Sequence, residues 1–273
     1  ALDNQLFMEW GGGQHLPWDI EKVRAKEIFS FNKIVAEEAA ELGIHIVRSC
    51  SGGLMRWHDQ GPKTPEYLDG MQIELEKLKT LVSDLGIVWA VETHFEFTSF
   101  ELIRVFEKAG IYPGEGIGIC LDTMNLLTML EDPVEATKRL LPWIVSTHIK
   151  DGGILTSPNG LRSFPAPINS GWINLKEIIR LISERDNAIH LNVEDHNGFF
   201  ELPLLNDLFL KEFPDLQDNE LESLVRMGEI VEPYRKKIEI EYFDRDLWPS
   251  VCEQRMKQNI VELISIRNSI END

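Results

Sequence analysis

The strongest constraint on the fold is a rhythm in the sequence. Short runs that are apolar at nearly every position alternate with longer amphipathic stretches. The runs are 6–10 (LFMEW), 44–50 (IHIVRSC), 87–92 (IVWAVE), 116–122 (GIGICLD), 143–148 (WIVSTH) and 188–194 (AIHLNVE). They do not alternate apolar with polar residues. Both faces of such strands need cover, which is the pattern of parallel strands in α/β folds. Helical periodicity fills the intervals at 19–42, 66–85, 100–109, 133–141 and 174–184. Pro17 and Asp19 start the first helix, Gly43 and Gly86 stop the first two, and Pro133 opens the fourth. Strand-then-helix order predicts a parallel sheet.

A chain of 273 residues suits one TIM-type (β/α) barrel, which takes ~250 residues. Six strands are visible in the sequence, so the expectation is a barrel, or a chain, short by about two βα units at its N-terminal end. The chain opens Ala1-Leu2-Asp3 without Met, in keeping with a segment missing upstream. The barrel is assigned to 1–200. Residues 201–273 read as a mostly helical extension, with helices at 202–213, 219–227 and 248–269. Within it, 237–243 (KIEIEYF) alternates like a half-exposed strand. This extension carries no chemical motif, and its expected role is packing on the barrel or on a partner subunit. The protein is therefore expected to be a homo-oligomer or a subunit of a complex.

Lys and Arg number 27 against 46 Asp and Glu, a net charge of −19 with no Lys/Arg-rich run. Such a surface repels phosphate backbones, so no nucleic-acid partner is expected. Cys50, Cys120 and Cys252 are odd in number and form no C-x-x-C pair. They predict free thiols in a reducing compartment, with Cys50 and Cys120 as core residues. No apolar stretch approaches the ~20 residues of a membrane span, and no secretory signal is visible. The expected location is cytoplasmic, away from membranes.

Four of the runs close on an ionisable residue: Glu92, Asp122, His148 and Glu194, which are 30, 26 and 46 residues apart. The first two intervals are one βα unit each, and the third holds a long loop over 152–172. In a parallel barrel the C-terminal strand ends form the active-site face. An ionisable group closing a buried strand is costly unless it is paired. Singly, each has a plain reading as a solvated loop carboxylate, a helix cap or a hydrogen-bonded His. In series they point to a cation. Three carboxylates and a neutral imidazole carry −3, and oxygen-rich donors with one nitrogen suit Mn²⁺ first, then Mg²⁺, Co²⁺ or Zn²⁺. One divalent ion per chain is expected. A structural zinc site would more often use Cys.

Arg48, His94, Asn125, Lys150 and His196 lie near these strand ends and are the candidates for substrate contact. His94 and His196 each follow a ligand by two, so an extended chain points them the same way. Trp10, His15 and Trp57 follow early strands, where most Trp are core residues. Gly11-Gly12-Gly13 lacks the context of a dinucleotide site and reads as a flexible loop.

The order Glu…Asp…His…Glu comes with VETH at 91–94, CLDTMN at 120–125, HIKD at 148–151, NVED at 192–195 and SGWINL at 170–175. Together these resemble the xylose isomerase-like TIM barrels, the sugar phosphate isomerase/epimerase superfamily. The likeness is good over 87–198, weaker upstream and absent from the C-terminal extension. It implies a metal-dependent sugar isomerase or epimerase in which Glu92 and Glu194 hold the metal and move a proton through a metal-stabilised enediolate. Asp122 and His148 would be ligands only. A lyase acting on a cyclitol, oxo-sugar or C-glycoside fits the same site. A nuclease of the endonuclease IV type fits less well, because Asn125 stands where those members carry His and the chain is strongly acidic. The implied substrate is a small sugar or cyclitol.

Overall fold

Parallel strands joined by helices dominate the computed structural model, which describes residues 7–17, 25–51, 53–57, 63–186 and 188–271. By packing, the chain divides into two compact units: residues 1–120 with 142–146, and 121–141 with 147–273.

The first unit runs β1 (Glu9–Gly13), α1 (Ala25–Glu41), β2 (Ile46–Ser49), α2 (Thr64–Leu85), β3 (Val88–Glu92), α3 (Ser99–Lys108) and most of β4 (Ile117–Asp122). Successive strands pair in parallel, ending with Glu92 opposite Cys120. Trp89, Val91, Ile119 and Cys120 are fully buried, as strands covered on both faces must be. Local chemistry sets the helix ends. Thr98 accepts the Glu101 N–H while the Glu101 carboxylate accepts the Thr98 N–H, a capping box that opens α3.

In the second unit, β4 ends and α4 (Asn125–Thr128) and α5 (Pro133–Leu140) follow. Next come the end of β5 (Ile144–Ile149), β6 (Asp151–Ser157), β7 (Gly160–Ala166), α6 (Leu175–Arg185), β8 (Asn192–Val193) and β9 (Phe200–Leu202). The chain closes with α7 (Asp207–Leu210), α8 (Asp218–Val231), α9 (Arg235–Tyr242) and α10 (Trp248–Glu271). The parallel sheet has six strands in the order β1-β2-β3-β4-β5-β8, and β6-β7-β9 form a separate antiparallel sheet. Six parallel strands in βα order match the sequence expectation.

Five expectations change. The run 237–243 is not a strand: Arg235–Tyr242 is helical. Ile238 and Tyr242, four residues apart, share the buried face, while Lys237–Glu241 and Arg235–Glu239 pair along the helix. The segment 152–172 is mostly the hairpin β6–β7, turned at Pro158-Asn159. Gly11, Gly12 and Gly13 belong to β1 rather than to a loop, because Trp89 packs so closely that a Cβ on Gly13 would lie 2.5 Å from its ring. The expected helix over 202–213 shrinks to α7, since Leu202 completes β9 and Pro203 follows it. The strand over 188–194 is confined to β8. The expected start of the first helix at Asp19 lies outside the described residues.

The C-terminal helices pack on the second unit. Helix α8 lies on β6 and α10 on α6. Leu155, Phe164, Val231, Ile238 and Tyr242 share one apolar cluster. Arg139 Nη1 lies 2.6 Å from Glu220 Oε1, tying α5 to α8. Among the described residues, no helix is long and apolar enough to cross a membrane.

Candidate metal centre

Asp122 is the last residue of β4 and is fully buried. Its Oδ1 accepts the N–H groups of Met124 and Asn125, each at 3.0 Å. Its Oδ2 lies 2.8 Å from Lys150 Nζ. His148, on β5, places Nδ1 2.6 Å from Glu194 Oε2. Glu194 directly follows β8, and its N–H donates to the Ile149 carbonyl. Lys150 Nζ reaches Glu194 Oε1 at 3.1 Å. The ligand-type atoms of Asp122, His148 and Glu194 all lie within 4.8 Å of one another. Burial opposes the charge on Glu194, but the His148 hydrogen bond and the Lys150 charge outweigh it and hold the carboxyl well below the usual range. Two carboxylates share the buried Lys150 ammonium, and an imidazole meets one of them. Carboxylate oxygens and an imidazole nitrogen are donor types that could hold a divalent cation.

The first unit carries the remaining strand-end acid. Glu92 closes β3, is buried, and accepts a hydrogen bond from Arg48 Nη1 at 2.9 Å. Its register partner Cys120 is two residues before Asp122 on β4. Arg48 is thus the ion-pair partner of Glu92. His94 sits with Cys50 and Glu96: its Nδ1 is 3.1 Å from Glu96 Oε2, and its ring lies on Phe95. Burial works against a charge on His94, but hydrogen bonds to Cys50 and Glu96 push its pKa up to about 10.

The other candidates fall as follows. The Asn125 backbone N–H donates to Asp122 Oδ1, and the buried Asn125 Nδ2 makes no hydrogen bond among the described residues. His196 Nδ1 lies 3.0 Å from the Asn197 carbonyl and donates to it. Burial and the Lys150 charge lower its pKa, which leaves a neutral ring with Nε2 as an acceptor. His15 is buried beside Ser49, 3.2 Å from its hydroxyl, and Trp10 and Trp57 are half-buried.

Two supporting acids escaped the sequence reading. Asp151, next to Lys150, is buried and accepts four backbone N–H groups: Gly152 at 2.7 Å, Asn169 and Gly171 at 3.0 Å, and Ile173 at 3.3 Å. Asp195, next to Glu194, accepts Arg255 Nε at 3.0 Å, Arg255 Nη2 at 2.5 Å and Asn259 Nδ2 at 2.8 Å. Each acid closes a motif already visible, HIKD or NVED. That adjacency was the available signal, but all the partners except Gly152 lie well along the chain.

The sequence profile of the xylose isomerase-like TIM barrel family matches residues 13–213. The uncharacterized protein YihM of Escherichia coli (strain K12) is 27% identical over 88 residues, 32% of this chain and 26% of YihM. The match thus spans about a quarter of that relative's length. A xylose isomerase-like TIM barrel protein from Mycobacterium smegmatis, crystallised with magnesium, superposes with a TM-score of 0.59 at 17% identity, covering 83% of this chain and 76% of that one. A D-psicose 3-epimerase crystallised with D-fructose gives 0.55 at 17% identity, over 84% and 78%. At these identities the structures speak for the fold, and the profile covers most of the chain. The chain belongs to the xylose isomerase-like TIM barrel family.

Proposed function

We propose that this protein is a divalent-metal-dependent sugar isomerase or epimerase, with Glu92, Asp122, His148 and Glu194 as ligands. The observation that carries this reading is the clustering of Asp122, His148 and Glu194, whose ligand atoms lie within 4.8 Å of one another, with Lys150 reaching both carboxylates. The β3–β4 register supports Glu92 as the fourth ligand, since it ends the neighbouring strand beside Cys120. The donor set favours Mn²⁺, with Mg²⁺, Co²⁺ and Zn²⁺ able to replace it. When bound, such an ion polarises a carbonyl and its neighbouring hydroxyl as a Lewis acid.

The chain's own groups then have separable tasks. Glu194 is 40% exposed, unlike fully buried Asp122, and can meet a substrate. His148 and Lys150 keep it ionised, so it can take a proton from the carbon beside the carbonyl. Glu92 returns a proton from its own strand end. Lys150 offsets the negative charge that gathers on the substrate oxygen. Asn125 Nδ2 and His196 Nε2 are offered to hydroxyls, and Arg48 and His94 are the first unit's candidates for substrate contact. The epimerase crystallised with D-fructose makes ketohexoses the first substrates to try.

The test is a panel of ketoses and inososes incubated with the protein and Mn²⁺, read by chromatography. An isomerised or epimerised sugar is expected. It should disappear in Glu194→Gln while the fold survives. Full activity in that variant would sink the assignment, and a dehydrated product would replace it with a lyase.

A further inference from the structure

A second group of ligand-type side chains lies wholly within the first unit. Cys50 follows β2, and His94 and Glu96 lie between β3 and α3. One sulfur, one ring nitrogen and one carboxylate oxygen from these three all fall within 4.8 Å of one another.

Glu96 is the informative member. It is 1% exposed. Its Oε2 faces His94 Nδ1 at 3.1 Å, while its Oε1 is shut off from solvent and makes no hydrogen bond among the described residues. The His94 ring serves Oε2 alone, and a buried carboxylate oxygen left without a donor is costly. Arg56 reaches the same turn, but its Nε donates 2.9 Å to the Glu96 carbonyl and its guanidinium pairs with Glu101. Those bonds do not use the Glu96 carboxylate. They fix the backbone of the turn, and the Thr98–Glu101 capping box fixes the residues just beyond it. The Phe95 ring, 3.5 Å from that of His94 between centroids, sets the imidazole plane. The three side chains are therefore held together at a fixed turn, and the bonds among them are the ones an ion would replace. Cys50 is half-buried, which gives an ion a way in.

We infer that Cys50, His94 and Glu96 form a second cation site, which takes a thiophilic divalent ion such as Zn²⁺. On binding, the Cys50 thiol and the His94 ring each release a proton to solvent, so that a thiolate and a carboxylate cancel the ion's charge and the imidazole adds a neutral donor. Sulfur selects a softer ion than the oxygen-rich set does. Tetrahedral bonds of ~2.0–2.3 Å place ligand atoms roughly 3.3–3.8 Å apart, so small side-chain rotations from the present spacing suffice. Three protein ligands leave a fourth position for water or a substrate oxygen. This site needs neither His148 nor the isomerase reading.

The experiment titrates the full-length, metal-stripped protein with Co²⁺ and with Zn²⁺. A thiolate-to-cobalt charge-transfer band is expected in the wild type and in His148→Ala, and is expected to vanish in Cys50→Ala and His94→Ala. Zn²⁺ content should fall by about one ion per chain in Cys50→Ala. A band that survives in a folded Cys50→Ala overturns the proposal. Zn²⁺ should also slow alkylation of Cys50 by iodoacetamide in the wild type by about tenfold or more, read by peptide mapping. That measurement needs no variant to fold, and a rate unchanged by Zn²⁺ refutes the site. Loss of the band in a folded His148→Ala would show that the cobalt-bound thiolate does not belong to a site independent of the other centre and would overturn this one.

Discussion

The Lys150 ammonium stands 2.8 Å from the carboxylate of fully buried Asp122. It also touches Glu194, and its own side chain is almost wholly buried. An acid placed at the end of a covered strand needs a cation beside it. Lys150 supplies one from the chain itself, at a place where a divalent ion would be held by the same oxygens.

Lys150→Met should therefore separate the two cations. Without metal, the variant leaves Asp122 buried and uncompensated, and breaking such a pair costs ~3–5 kcal/mol. With Mn²⁺ present the ion restores the balance. The expected outcome is a lower Tm than wild type in chelator and a larger rise in Tm on adding Mn²⁺. Equal metal-induced shifts in the two proteins would show that Lys150 does not share the carboxylates with the ion.

Asp151 should act as the clasp of the segment that carries Lys150. It gathers the N–H groups of Gly152, Asn169, Gly171 and Ile173. Each donor left without a partner costs ~1–3 kcal/mol, so Asp151→Ala is expected to lower stability by several kcal/mol. A Cβ at position 171 would collide with the Asp151 carboxylate, so Gly171→Ala should damage the same clasp. Chemical denaturation of the two single variants and the double variant checks this. The double variant should lose clearly less than the sum, whereas simple additivity would refute a shared role.

Arg255 anchors α10 beside Glu194. Its guanidinium is bidentate to Asp195, donates to Asn197 and lies over Trp248 and Tyr242. Arg255→Met leaves Asp195 buried without its cation and should cost ~3–5 kcal/mol. Adding Asp195→Asn should recover much of that loss, because the orphaned charge goes with it. Hydrogen exchange along 248–271 should rise in the single variant and fall back in the double. A double variant no more stable than Arg255→Met would contradict this account.

His15 gives the fold a dependence on acid. Burial, followed by the charge on His94, lowers its pKa from 6.5 to about 3. The folded value lies below the unfolded one, so neutral His15 contributes stability that is complete above pH 6.5 and lost as pH falls toward about 3. The slope from this one group is at most ~1.4 kcal/mol per pH unit. His15→Gln should show a shallower fall in Tm across that window than wild type. Parallel curves would mean that His15 does not carry the effect.

Local pattern was enough to read the strand rhythm and the acids and imidazole that close the strands. A strand covered on both faces must be apolar throughout, so an ionisable residue at its end stands out from its neighbours. That is why Glu92, Asp122, His148 and Glu194 were legible as candidates, and why β3, β4 and β5 begin and end close to where the runs do. Pattern failed where two structures share one signal. The run KIEIEYF satisfies a two-residue period and also places Ile238 and Tyr242 one helical turn apart. Which face was buried depended on what α9 packs against. Gly11 to Gly13 looked free of structure, because the Trp89 ring that demands a glycine lies 76 residues away in sequence.

The sequence by itself determined the order of the buried runs, the ends of β3 and β4, and the kinds of donor found near the ends of β3, β4, β5 and β8, because burial and side-chain type are local properties of each run. Only the tertiary structure decided which charges neutralise one another: Lys150 with Asp122, Arg48 with Glu92, Arg255 with Asp195, and His94 with Glu96. Electrostatic pairing acts across space over a few ångströms, and spacing along the chain does not encode which distant side chain arrives.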